Sequence, residues 1–247
     1  KTGIGERVLQ AADVFLRELK SAEQSGRWPN LITLYLPQDH TLASRPEAPL
    51  PESMIADNDL SSGRVVDAIS HSRFWATTCI FIMEDDPQAG FDHVDGHRSL
   101  CLVASPYTKR GAVVSHFYNQ TAALHTMELM LGIPPMNQFD ASSAPMTDVF
   151  TAAPDLTPYK VLPNEIPLDA MNQSQASLSP ADQKFADASL RQNFDEPDRV
   201  DDDVMNRILW HAARGSAPYP AKFAGAHGKG LKALHLKLDR GAVDDDD

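Results

Sequence analysis

Three short stretches of this chain carry side chains that bind cations or move protons, and each adjoins an apolar run. Asp39-His40 follows Leu31-Ile32-Thr33-Leu34-Tyr35-Leu36. Asp85-Asp86 follows Thr78-Cys79-Ile80-Phe81-Ile82-Met83, and Asp92-His93-Val94-Asp95-Gly96-His97-Arg98 precedes Ser99-Leu100-Cys101-Leu102-Val103-Ala104-Ser105. Each stretch alone is also ordinary turn or capping chemistry. Carboxylates gathered at one edge without basic partners would repel one another strongly in a low-dielectric site, and a divalent cation removes that repulsion. Mixed imidazole and carboxylate ligation suits Zn, Mn or Fe, whereas carboxylates alone suit Ca or Mg. The candidate ligands are Asp39, Asp85, Asp86, His97 and His93. His40 is either a further ligand or a proton donor, and Arg98 either meets a phosphoryl oxygen or pairs with one of the acids. Two such metals, about 4 Å apart, would clamp the attacking and leaving oxygens of an in-line phosphoryl displacement.

The elements that must hold these residues can be read from periodicity. Val8, Leu9, Ala12, Phe15, Leu16 and Leu19 recur at helical spacing, so Ile4 to Lys20 reads as an amphipathic helix. Residues 31–36 are apolar on both faces, which fits a central strand of a parallel sheet. Ile55, Leu60, Val66 and Ile69 place a second helix over residues 53–72, with acids at its start suiting the helix dipole. Residues 78–83 and 99–105 read as strands. A helix from about Asn119 to Leu131 follows, with Asn119 or Thr121 as cap and Gly132 as stop. Residues 133–180 should wrap the surface with little regular structure. Two helices close the chain: Pro180 to Gln192 behind Ser179, and Asp201 to Arg214 before Gly215. This order predicts an α/β three-layer sandwich with a mostly parallel central sheet over residues 1–150, and an irregular and helical segment over 151–247 packed on the same domain.

Composition sets outer limits. A length of 247 residues makes one large domain, or one and a half smaller ones. A net charge of -12, from 34 acidic and 22 basic side chains, repels phosphate backbones and argues against nucleic acid as a partner. It leaves a phosphorylated substrate open, because bound metals reverse the local sign. No apolar run is long enough to span a bilayer. Cys79 and Cys101 both sit in apolar runs and read as buried thiols rather than a bridge. Lys1 is not an initiator Met, so the chain is expected to be a processed piece with any targeting signal upstream. His71, His125, His211, His227 and His235 read as structural or exposed, and His116 is set aside as a ligand.

The order of segments resembles the second half of the alkaline phosphatase superfamily. The resemblance rests on Asp39 after a strand, an acidic helix over residues 56–69, then residues 74–86 ending in Glu84-Asp85-Asp86, and His97 entering the next strand. Within that superfamily, residues 36–41, 84–99 and 105–146 look most like bacterial proteins of the phosphoesterase family. The resemblance implies a metal-assisted phosphoester hydrolase acting on a phosphorylated small molecule or lipid with one or two divalent ions (Zn, Mn or Ca). It implies Asp39 and His97 on one metal, and Asp85 with Asp86 on the second or a shared one. Periplasmic or extracellular placement is the expectation that goes with it. Two departures stand out. Asp86 occupies a position where the superfamily commonly has His, and Ala43 lies where a second His is usual. The resemblance also implies that the nucleophilic Ser or Thr, with a further metal-binding Asp, belongs to a missing N-terminal half, so the isolated chain should be inactive. A non-catalytic metal-stabilised binding module, or a sulfatase or phospholipase C-type hydrolase on the same fold, are the rival readings.

Overall fold

A computed structural model describes residues 8–85, 99–195 and 199–220. The helices are α1 (Val8–Ser25), α2 (Pro51–His71), α3 (Gln120–Leu131), α4 (Gln138–Ser142), α5 (Pro180–Arg191) and α6 (Asp202–Arg214). Strands β1 (Ile80–Met83) and β2 (Cys101–Ala104) pair antiparallel, with Ile80 opposite Ala104 and Met83 opposite Cys101. The described residues fall into two compact units, one of residues 8–41, 52–85 and 100–169, the other of 42–51, 99, 170–195 and 199–220.

In the first unit α1 buries Ala12, Phe15, Leu19 and Ala22, the three-and-four spacing of a single helical face. That face meets Val65 and Ile69 of α2 and the indole of Trp75. Trp28 stacks on Phe74 at 5.3 Å between centroids, and Phe15 packs edge-on against Trp28 at 5.9 Å. Burying Phe15, Leu19 and Ile69 contributes about 1.5–3 kcal/mol each before the entropy of ordering is counted. Gly26, at φ 72, closes α1 by donating its N–H to Ala22 O, a left-handed position that would strain a side chain. A second cluster joins Ala122 and Ala123 of α3 to Met146 and Val149, with Phe81 of β1 and Val103 of β2 against it. α3 starts where Asn119 accepts the Ala122 N–H at 2.9 Å and stops at Gly132, φ 67.

The second unit packs Met205 and Ile208 of α6 with Ala43 and Phe194, and Phe185 and Ala188 of α5 lie against them. Ser179 caps α5 and Asp201 caps α6. His211 Nε2 sits 2.8 Å from Asp182 Oδ1, and its ring stacks on Phe185 at 4.0 Å. The chain near residue 48 is tied to the stretch at 170–172 by Leu50 N–H to Ala170 O and Asn172 N–H to Ala48 O.

The parallel three-layer sandwich is not what forms. Among the described residues the sheet has two strands, and they are antiparallel. Parallel pairing is what the order of segments predicts, whereas the ladder sets Ile80 against Ala104 and Met83 against Cys101, an antiparallel register. Residues 31–36 are not a strand either. Without a described strand beside them they run irregularly, leaving Leu31 59% and Tyr35 63% exposed. A strand apolar on both faces needs partners on both edges, and its own sequence cannot provide them. A smaller correction concerns burial. Cys101, read as buried, is exposed at the start of β2, while Cys79 is half-buried; both are free thiols. Asp57, one of the acids in the first half of α2, is buried with Ser53 and Ser61 on one face of the helix.

Candidate functional site

The structure places two of the three chemical stretches. The first begins at Pro37, which is buried and precedes a single 3-10 turn over Gln38–His40. Gln38 is buried within it, and the Thr41 N–H returns to Gln38 O at 3.0 Å. Thr41 then takes φ 60 and ψ 174, a conformation that favours glycine, and Ala43 (φ 53) and Glu47 (φ 62) repeat the left-handed φ nearby. The strain is concentrated immediately after Asp39-His40, where it turns the chain sharply and leaves Asp39 half-buried. His40 Nδ1 lies 3.4 Å from the Thr41 carbonyl, an acceptor, so this nitrogen carries the hydrogen in that contact.

The second stretch is fixed by the hairpin. The Glu84 N–H bonds Leu100 O at 3.2 Å, which prolongs the β1–β2 ladder by one step and delivers Asp85 at its end. The Gln120 side-chain amide, on the first turn of α3, donates to the carbonyls of both Glu84 (3.3 Å) and Asp85. Nothing in the sequence singles out Gln120. A glutamine at the start of a helix gives no signal of what it will touch, and only the packing of α3 against β1 and β2 brings it there.

Asp39 and Asp85 come within electrostatic reach of each other. Burial holds the Asp39 carboxyl above the usual aspartate range, and the Asp85 charge pushes it further the same way. The amide N–H groups of Asp39 and His40 and the His40 imidazole act in the opposite direction. Asp85 and His40 thus act on Asp39 with opposite sign, one acid and one imidazole. The mutual repulsion of the two acids is what a divalent ion would relieve, but Asp39, Asp85 and His40 do not converge as a three-ligand group.

Asp86, His93, His97 and Arg98 lie outside the described residues. Among the described residues no three His, Cys, Asp or Glu side chains converge on one point. The remaining described histidines of the first unit have other partners. His71 Nδ1 meets Asp67 O at 2.8 Å, His125 Nδ1 meets Ser143 O at 2.7 Å, and His116 stacks on Tyr118 beside Asp148. A shallow cleft of about 400 Å³ between α1 and residues 27–32 is lined by Phe15, Glu18, Arg27, Trp28 and their neighbours, and includes neither Asp39 nor Asp85.

No family model matches the chain, and no curated protein or solved structure is significantly similar to it. No helix among the described residues is long and apolar enough to cross a membrane.

Proposed function

We propose that this chain supplies the metal-holding part of a phosphoester hydrolase acting on a phosphorylated small molecule or lipid outside the cytoplasm. The single observation that supports the reading is that the Asp85 charge bears on the half-buried Asp39, two acids brought together from separate segments. Asp39 and Asp85 would hold a divalent ion, with Asp86, His97 and His93 completing one or two sites. When bound, the ion supplies Lewis acidity and neutralises charge on the phosphoryl oxygens. The protein's own part is to hold the acids in place through the 38–40 turn and the Gln120 amide. Arg98 would meet a phosphoryl oxygen, and His40 would hold or pass a proton at its imidazole.

Among the described residues Thr41 and Ser53 are buried. The reading takes its nucleophile from the resemblance, which assigns that Ser or Thr to a segment outside this chain. The test is titration of the chelator-stripped protein with Zn, Mn and Ca salts, followed by elemental analysis. Asp39→Asn and Asp85→Asn should each weaken binding by about tenfold or more. Unchanged stoichiometry and affinity in both variants would refute the assignment. Metal binding by the full-length protein without hydrolysis of a chromogenic phosphate ester would favour the binding module instead.

A further inference from the structure

Away from Asp39 and Asp85, the first unit buries two more carboxyl groups against each other. Glu128, on the last turns of α3, is 2% exposed, and Asp140, in α4, is fully buried. Asp140 is surrounded by donors: Met136 N–H reaches Oδ2 at 2.8 Å, while Asn137 and Ala141 N–H both reach Oδ1 at 2.9 Å. It also belongs to a capping box, in which the Asn137 side chain accepts from the first turn of α4 and Asp140 accepts from the Asn137 N–H. Glu128 is poorly provided for by comparison. Its Oε1 accepts a long bond from Met136 N–H at 3.3 Å, and its Oε2 is buried with no hydrogen-bond partner among the described residues.

Two ionised carboxylates so placed would repel in a low-dielectric interior, and an ionised Oε2 would forfeit its solvation with nothing in exchange. A cation between them is disfavoured, because three amide dipoles already point their positive ends at Asp140. One proton resolves the conflict. If Glu128 carries it, Oε2–H becomes the donor that Asp140 can still accept, and the orphaned atom is satisfied. The surroundings leave few other sources of charge. His125 lies one turn earlier on α3 and faces Glu128 electrostatically. Residues 132–137 and 143–146, which flank α4, contain no ionisable side chain, and residues 119–147 contain no Lys or Arg.

We propose that Glu128 and Asp140 share a single proton across this buried contact, and that the proton fastens α4 and the 133–137 connection to α3. The charge balance agrees. Burial first, then the hydrogen bond and charge of Asp140, hold the Glu128 carboxyl above the usual glutamate range. The Asn137, Met136 and Ala141 amides, followed by the Glu128 hydrogen bond, overcome desolvation and hold Asp140 below the aspartate range. As pH rises through the elevated Glu128 value the proton leaves to solvent, the two acids repel, and the α3–α4 contact loosens. Below that point the latch is closed until Asp140 itself is protonated.

The experiment is a pH titration of the whole chain labelled with carbon-13 at its glutamate side-chain carboxyls. One glutamate resonance should remain in the protonated form after all the others have ionised, and it should be missing from Glu128→Gln. Stability measured by urea unfolding should fall with rising pH over the window of that late titration in the wild type and lose this fall in Glu128→Gln. The amide of the variant can still donate to Asp140. A wild-type spectrum in which every glutamate titrates in the ordinary range overturns the proposal even if the variant fails to fold. So does a late resonance that survives in Glu128→Gln.

Discussion

Replacing Asp39 by Asn tests the site by separating stability from binding. The half-buried Asp39 carboxyl is destabilised by burial and by Asp85, so its folded-state pKa is raised. A raised acid contributes stability below its unfolded value and loses it as pH climbs through the folded one. The wild-type protein without metal is therefore penalised at neutral pH, and the asparagine variant is not. With solvent screening at a half-exposed pair, the gain from Asp39→Asn should be about 0.2–1 kcal/mol at pH 7, fading below about pH 3.9 where the aspartate is neutral in both states. Metal reverses the ranking. At a free ion concentration about one hundredfold above the dissociation constant, the wild type gains about 2.7 kcal/mol. A variant binding about tenfold more weakly gains only about 1.4 kcal/mol under the same conditions. Urea unfolding of both proteins, with chelator and with Zn or Mn, at several pH values, reads all of these quantities. A variant that is less stable than wild type in chelator, or that gains as much from metal, would refute the reasoning.

Asn119→Ala removes the cap that starts α3 and should cost about 1 kcal/mol in urea unfolding, with Asn119→Ser restoring most of it. Gln120→Ala should leave global stability nearly unchanged yet weaken metal binding in a calorimetric titration, because it releases the carbonyls of Glu84 and Asp85. Equal affinity in this variant would show that the hairpin holds Asp85 without help. Met205→Ala, at a fully buried position between Ile208 and Phe194, should destabilise by about 2–5 kcal/mol in chemical unfolding and leave the metal titration unaltered.

The longer helices are legible in the sequence because their signals are local, whereas the short α4 lies in a stretch expected to hold little regular structure. Asn119, Ser179 and Asp201 are each the residue that accepts from the following turn, and Gly132 and Gly215 close α3 and α6. The two strands are legible as apolar runs, but their mutual direction is not what the order of segments predicts. Direction depends on what connects them, and the decisive clue is the lack of a helical pattern between Met83 and Cys101. Residues 31–36 mislead for the opposite reason. Their composition states how much burial they could use, whereas burial itself needs neighbours that composition does not name. At the site, the acids that end or follow apolar runs are visible in the sequence. The strained turn at Thr41 and the Gln120 brace are not, since each arises from how distant segments pack.

The two thiols of the hairpin have unequal access to solvent, and this gives the molecule a built-in attachment point. Burial pushes the Cys79 thiol up to about 12, which keeps it protonated and inert to alkylating reagents under ordinary conditions. Cys101 is exposed and stands opposite Met83, two residues before Asp85, and partial burial raises its thiol above the usual range as well. A maleimide dye or nitroxide added to the unmodified protein should therefore react faster on β2 than at Cys79, giving a reporter close in the hairpin to Asp85 without any engineered cysteine.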